Sequence, residues 1–447
     1  MSELPADWAL VSFSEVAELV RGVSYKKNES DINPREGLIP ILRANNIQNG
    51  NLVLHDLVYV PTEKVKEKQL IKQGDIIVAM SSGSKKLVGK SGVCDKRITA
   101  SFGTFCGLIR AKSNCYPRYL GWFTQSKYYT DTISNLSKGV NINNLKPAHF
   151  EELQIPLPTL AEQKRIADKL DSVLAKVEAA QARLDKIPAI LKLFRQSVLA
   201  AATSGELTKE WRGDEKYRDE TLNWPISKIP ESWELKFLEE VAESRLGKML
   251  DKSKNSGIAT KYLGNINLRW HHIDLFELKE ILVSQKEINE LNIRDGDLLL
   301  CEGGEPGRGA VWKGGDNNLV FQKAIHRVRC TDCISPEFLL YSIEDDFFSN
   351  RLSLLYTGTT IKHLTGKALK KYPVRIPPIA EQIEIVRRVN RLLEASSKIE
   401  EQYLAAKLRV NQLTQSILKK AFEGELLTSE VENEFLQELS DVEAVEC

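Results

Sequence analysis

This 447-residue chain says nearly the same thing twice. Leu4-Pro5-Ala6-Asp7-Trp8-Ala9-Leu10 returns as Ile229-Pro230-Glu231-Ser232-Trp233-Glu234-Leu235, a shift of 225. Glu15-Val16-Ala17-Glu18 returns at the same shift as Glu240-Val241-Ala242-Glu243, and Gly74-Asp75-Ile76-Ile77 recurs as Gly296-Asp297-Leu298-Leu299 at a shift of 222. From Phe102/Phe321 the shift settles at 219 and holds through Gly139/Gly358, Ala161-Glu162-Gln163/Ala380-Glu381-Gln382 and Gly205-Glu206-Leu207/Gly424-Glu425-Leu426. Short periods build solenoids, whereas one long duplication builds two domains. Two similar sites, held at a fixed separation, are the expectation.

Each copy has two parts. The first is a set of short β-rich runs broken by Gly, Asn, Asp and Ser, with Ile76-Ile77-Val78-Ala79-Met80 and Leu298-Leu299-Leu300 as buried strands after a Gly-Asp turn. The second is a long helix. Ile166, Leu170, Val173, Val177, Ala180, Leu184, Ile187, Leu191, Phe194 and Val198 follow one another at spacings of four and three without a slip. Their counterparts are Ile385, Val389, Leu392, Ser396, Ile399, Tyr403, Ala406, Val410, Leu413 and Ile417. A seven-residue apolar period kept over about four heptads predicts a supercoiled helix pair, with these positions as its seam. Prolines (Pro156, Pro158; Pro377, Pro378) introduce each helix and Gly205 or Gly424 closes it. Pro188 should kink the first helix; its counterpart is Lys407.

A helix of this length spans roughly 65 Å. Parallel pairing would force the linker 204–224 to travel back that distance nearly fully extended, at ~3.3 Å per residue. Antiparallel pairing needs no return. The expected fold is therefore α+β: two similar mixed α/β domains separated by two long antiparallel coiled-coil helices, related by a pseudo-two-fold. The predicted boundaries are a first head 1–158, a first spacer helix 159–204, a linker and second head 205–378, a second spacer helix 379–424 and an acidic tail 425–447.

The net charge of +1 conceals an uneven distribution. No Lys or Arg follows Lys420, while nine acids lie between Glu423 and Glu446; the rest of the chain keeps 62 basic against 52 acidic residues. A moderately basic body is compatible with a nucleic-acid partner, though a charge run is usually a solvated face. Seven scattered cysteines argue against a disulfide framework, and neither a signal segment nor a membrane-length apolar run is visible, so reducing cytoplasm is the expected compartment, with no membrane partner.

Enzymatic signatures fail on inspection. Gly83-Ser84-Lys85-Lys86-Leu87-Val88-Gly89-Lys90-Ser91 resembles a phosphate-binding loop but has five residues between its glycines where four are required. The run Gly303–Gly309 lacks the Lys-Ser/Thr ending and contains Pro306. Cys330-Thr331-Asp332-Cys333 has no second pair at zinc-ligand spacing and no equivalent in the first copy, so no metal site is expected. Neither a metalloprotease His pair nor an amino-methyltransferase motif is present.

What remains is a set of polar loops at matched places. In the first copy these are Arg43, Asn45, Asn46 and Gln48; Ser81, Ser82, Ser84, Lys85, Lys86 and Lys90; and Asn141, Asn143 and Asn144. In the second they are Asn265, Asn267 and Arg269; Glu302 and Arg308; and Lys362 and His363. Arg pairs with guanine and Asn or Gln with adenine, while hydroxyls and ammoniums suit phosphates. Any one such loop also fits an ordinary Asn/Gly/Ser turn. Frame residues agree between the copies and loop residues differ, as two readers of two different base sequences would.

The chain resembles type I restriction-modification specificity subunits over essentially its whole length. The resemblance rests on Leu4-Pro5 with Trp8, on Gly-Asp-Ile-Ile, and on Ile155-Pro156-Leu157-Pro158-Thr159-Leu160-Ala161-Glu162-Gln163 with its repeat Ile376-Pro377-Pro378-Ile379-Ala380-Glu381-Gln382. Gln196-Ser197-Val198-Leu199 and Gln415-Ser416-Ile417-Leu418 complete it, and Arg43–Gly50 with Ala79–Lys85 is similar to the first recognition domain of enterobacterial members. The resemblance implies two target recognition domains reading the halves of a split, asymmetric site on double-stranded DNA. Between them the helices would act as a ruler and dock two methyltransferase subunits. S-adenosylmethionine would belong to those subunits, and ATP and Mg to separate motor-endonuclease subunits; this chain would carry no cofactor and no catalytic centre. Two other readings are a standalone two-headed DNA-binding or scaffolding protein, and a nucleotide-using enzyme built on Gly83–Ser91.

Overall fold

The structure is a computed structural model. It describes residues 4–428 apart from 83, 85, 86, 138–142, 220, 221, 223, 226, 227, 252, 254, 316 and 317, together with 435 and 437. Two compact units emerge: residues 1–186 with 402–447, and residues 187–401. Each contains one head and two helical segments.

The heads share one topology. In the first, Ala17–Arg21, Cys106–Ala111, Ile76–Ala79 and Ser91–Val93 lie side by side, all antiparallel. In the second, Ala242–Leu246, Ile325–Cys330, Leu298–Cys301 and Gly309–Val311 repeat that order and direction. A smaller sheet joins Ser101–Phe102, Leu38–Leu42 and Val58–Pro61; its counterpart joins Val320–Phe321, Ile258–Leu263 and Lys279–Val283. In both, one pairing is parallel and one antiparallel. The strand leaving each head, Gln154–Leu157 or Pro373–Ile376, pairs antiparallel with the strand that enters it, Ala9–Ser12 or Glu234–Phe237.

The repeated Gly-Asp has a physical cause beyond the turn. Gly74 and Gly296 sit at φ +92° and +83°, which a side chain would strain. Asp75 closes its turn on the Lys72 amide and accepts both arms of Arg110, Nε at 2.9 Å and Nη2 at 2.6 Å. Asp297 does the same with the Arg294 amide and with Arg329 at 2.8 Å twice. A bidentate guanidinium is what makes a buried carboxylate tolerable. The hydrogen bonds that Arg110 donates to Asp75 in turn hold the Arg110 pKa above its ordinary value.

The helices fall as the apolar period predicts, with two corrections. Leu160–Leu184 and Ile187–Ser204 are separate helices rather than one kinked rod. Pro188 is the second residue of the later one, a place where its missing amide costs nothing. Ile379–Phe422 runs unbroken through the matching place, where Lys407 donates to Asp185 at 3.0 Å. Ile166, Leu170, Val173, Val177, Leu184, Leu191, Ile385, Val389, Tyr403 and Leu413 are buried as seam residues should be. Ile399 and Phe194, however, are exposed, at 41% and 38%, and Leu392 is only half-buried. At that level the closure is polar: Arg195 Nε donates to buried Ser396 at 3.2 Å and Nη2 to Glu400 at 2.7 Å.

Within each unit the helical segments run antiparallel. Asp185, just past the end of Leu160–Leu184, meets Lys407, while Phe422 packs on Tyr119, whose hydroxyl donates to the Pro156 carbonyl just ahead of that helix. In the other unit Arg195 meets Ser396 and Glu400, while Thr208 meets Glu381. Gly205 and Gly424 close their helices in the left-handed region, at φ +82° and +83°. A Cβ on Gly205 would fall 2.6 Å from Pro230, and one on Gly424 would fall 2.4 Å from Pro5. The Leu-Pro and Ile-Pro segments that open the two heads therefore fill matching sites against the two helix ends.

Candidate functional site

The glutamine of each Ala-Glu-Gln fastens helix to head. Gln163 accepts from the Tyr116 amide at 2.7 Å and donates to the carbonyls of Asn114 and Pro158. Gln382 accepts from the Ser335 amide at 2.7 Å and donates to Cys333 and Pro377. Both side chains are fully buried, so each head leaves its helix along a fixed direction.

On this frame the polar loops come together at matched places. Ser81–Ser82 pairs antiparallel with Asn143–Asn144, and the Leu145 amide donates to the Met80 carbonyl at 2.8 Å. In the second head a bridge joins Gly303 to His363, and Leu364 donates to Glu302 at 2.7 Å. A Cβ on Gly303 would lie 3.0 Å from the His363 ring, so glycine makes room for the imidazole. Asn265 Nδ2 reaches the Gly303 carbonyl at 3.0 Å and accepts on its own carbonyl from Arg308 at 3.1 Å. Three loops distant in sequence thus form one surface.

Individual residues sort differently from the prediction. Asn46 and Asn267 leave the candidate surface. Asn46 is fully buried, accepts from the Arg43 amide and donates to the Val53 and His55 carbonyls. Asn267 accepts from the Gly264 amide and donates to Asp274. Each uses its amide to hold its own loop, which is the commoner fate of a loop asparagine. Arg308 is largely tied up, paired with Glu305 and lying 3.7 Å from the Cys301 sulfur, so it braces the loop. Arg43 is half-buried with Nη2 on the Asp56 carbonyl, and Lys90 and Glu302 are half-buried.

Asn45, Gln48, Ser84, Asn144, Arg269 and Lys362 are exposed, and Ser81, Ser82, Asn265 and His363 partly so. Arg269 curls back on the Ile266 and Leu268 carbonyls, and Lys362 on that of Gly358, weak tethers that a stronger acceptor would displace. Lys85, Lys86 and Asn141 lie outside the described residues, and Asn143 is described only through its strand pairing. Asn49-Gly50, at φ +49° and +76°, makes the tight two-residue turn that presents Gln48 opposite Asn51.

Sequence reasoning did not find the internal anchors. Glu381 takes Thr208, Arg212 and Trp233 at once, and Asp346 takes Trp224, Arg351, Tyr372 and Arg375. These are contacts between distant segments that no local pattern marks. Among the described residues no group of three or more His, Cys, Asp or Glu is placed to hold a metal ion, and no helix is long and apolar enough to cross a membrane.

Comparison with known proteins agrees with this arrangement. The sequence model of the type I restriction modification DNA specificity domain matches residues 5–189 and 230–408. The chain is 40% identical over 435 residues to the type I restriction enzyme EcoKI specificity subunit of Escherichia coli, covering 95% of this chain and 90% of that one. It is 39% identical to the StySPI specificity subunit of Salmonella potsdam at the same coverages. A chain solved in work on complex assembly and conformational transition of the type I R-M system superposes with a TM-score of 0.72 at 20% identity, covering 95% of this chain and all of that one. The HsdS subunit from Thermoanaerobacter tengcongensis gives 0.60 at 19% identity, covering 95% of this chain and 98% of that one, so both share this fold. By sequence and by fold, the chain belongs to the type I restriction-modification DNA specificity subunits.

Proposed function

We propose that this chain supplies the DNA sequence specificity of a type I restriction-modification complex and carries no catalytic centre. Each head reads one half of a bipartite, asymmetric site on one duplex. The long helices form an antiparallel coiled coil that separates the heads, fixes the gap and docks two methyltransferase subunits. S-adenosylmethionine belongs to those subunits, and ATP and Mg to the motor-endonuclease subunits.

The observation that carries this reading is one backbone frame built twice, with loops joined at matched places and different side chains on them. A spacer of roughly 65 Å is about two turns of B-DNA and sets an upper bound on the unread gap, which in this reading lies near one turn. Exposed apolar side chains on the helices, Ile190 and Leu193 in one unit and Leu404 and Leu408 in the other, favour protein partners there.

The test is selection from random DNA duplexes by this chain with its methyltransferase subunits. Two short blocks of fixed sequence, separated by a constant run of unselected bases, are expected. A single uninterrupted block would overturn the bipartite reading. Equally specific binding by the chain alone would favour a standalone DNA-binding protein.

A further inference from the structure

We propose that Gln322 is a base-reading side chain of the second head, standing on the strand that faces the position matched to Arg43 of the first. The inference rests on the function proposed above and extends it to a residue and a base.

The two places are built alike. Gly103 donates its amide to the Leu42 carbonyl at 3.0 Å, and Gln322 donates its amide to the Leu263 carbonyl at 3.0 Å. Both bonds continue the parallel pairing of matched strands, Phe102 beside Leu42 and Phe321 beside Leu263. The residue after each central strand is Arg43 in the first head and Gly264 in the second, and each opens the same short helical turn. One position is therefore Arg43 or Gly264, and the facing position is Gly103 or Gln322. At these two facing positions each head has one long polar residue and one glycine, and the positions are exchanged between heads.

Gly264 has an ordinary extended backbone (φ −111°), so conformation does not demand glycine there. What a Cβ there would meet is the Gln322 side chain, with Oε1 3.1 Å away, so glycine leaves that carboxamide room beside the turn. The Gln322 amide is half-buried and makes no hydrogen bond to any described residue, unlike Asn46 and Asn267. Exposed Lys323 follows it, well placed for a phosphate, while half-buried Glu302 stands nearby, its amide on the Ala324 carbonyl. A carboxamide with no protein partner, partly open to solvent, can pair bidentately with adenine, offering an acceptor to N6 and a donor to N7; a guanidinium at the matched position pairs with guanine. The assignment is adenine for the second head at this position and guanine for the first.

The experiment selects from duplexes in which either half-site is randomised, using the chain with its methyltransferase subunits, for the native chain, Q322A, Q322R and R43A. Q322A should lower the preference for adenine at one position of one half-site by roughly tenfold to a hundredfold, leaving the other half-site unchanged. Q322R should move that position toward guanine, and R43A should flatten one guanine in the other half-site. Unchanged melting of Q322A and Q322R confirms that each chain is folded. If the native chain selects two blocks and Q322A and Q322R select the same two, this assignment is overturned while the bipartite reading stands. A uniform loss of affinity for all sequences would also overturn it. If the native chain selects no bipartite site, the parent reading fails as well.

Discussion

Thr203 and Phe422 occupy matched places 219 residues apart, near the ends of two long helices, and they meet their heads by opposite chemistry. Phe422 packs its ring edge-on against Tyr119 and Phe123, with centroids 5.2 and 5.3 Å away. Thr203 instead donates to Asp345 at 2.7 Å, and Asp345 belongs to a buried group with Asp346, Arg351, Arg375, Tyr372 and Trp224. The first head has Ser126 and Lys127 where the second has Asp345 and Asp346. Ser126 there caps a new helix, Lys127–Leu136, whereas Pro336–Phe348 runs straight through. The same backbone joint is thus closed once by rings and once by charge. What the duplication has kept is the hydrogen-bonded frame; what fills it has been free to change.

The largest effect that can break this comparison is expected at Asp346. Asp346→Ala leaves buried Arg375 and half-buried Arg351 with one carboxylate fewer, and removal of one partner from a buried charge group costs ~3–5 kcal/mol. Hydrogen exchange should then show the second head opening first, with the first head unmoved. Lys127→Ala, at the matched place, removes only an exposed pair with Asp131 and should change stability by less than ~0.5 kcal/mol. Equal loss in both heads would mean that the joint is not local.

Phe422→Ala should act in the first head alone. It removes a buried ring and two edge-on contacts, at ~3 kcal/mol. Thr203→Val, its counterpart, removes one hydrogen bond from Asp345 and should cost ~1–2 kcal/mol in the second head. Hydrogen exchange read over each head by itself separates the cases; bulk tryptophan fluorescence would not, because Trp8 and Trp122 lie in the first head and Trp224 and Trp233 in the second.

A smaller, pH-dependent difference is expected at His326. Burial holds its pKa below the ordinary histidine value. Nε2 donates to the Leu364 carbonyl at 2.7 Å, while Nδ1 is buried without a partner, so a second proton has nowhere to go. A lowered histidine pKa means that the unfolded chain binds more protons, so this stability is present above the unfolded pKa and lost as pH falls through the folded one. The second head should lose stability on acidification below about pH 6.5. His326→Gln should remove that part of the slope, and the first head, with Gly107 at the matched place, should lack it. A slope unchanged in the variant would assign the effect elsewhere.

Much of this architecture was legible in the chain. The repeat announced two heads, the Gly-Asp pairs announced buried strands, and the seven-residue period picked out helix positions most of which are buried, though others such as Leu174, Leu199 and Leu418 are buried off it. The errors have physical causes. Asn46 and Asn267 carry the chemistry that reads adenine, but the same amide satisfies a loop's own backbone, and only the fold decides between those partners. Ile399 keeps the period, yet the pairing at its level is made by Arg195 on Ser396, which a single-helix pattern cannot foresee. Pro188 was visible as a disturbance, but separate helices or one kinked helix fit the same residue. Gln322 escaped notice because it stands alone between Phe321 and Lys323, and its significance comes from Gly264, 58 residues earlier.

The spacer is tested most directly by matched seven-residue insertions in both helices, at 180–190 and 399–409, followed by sequencing of the modified bases that the complex leaves in DNA. A heptad lengthens each helix by ~10 Å, about three base pairs at ~3.4 Å each. The gap should widen by about that amount while both half-site sequences stay as they were. Altered half-site bases with an unchanged gap would contradict the account.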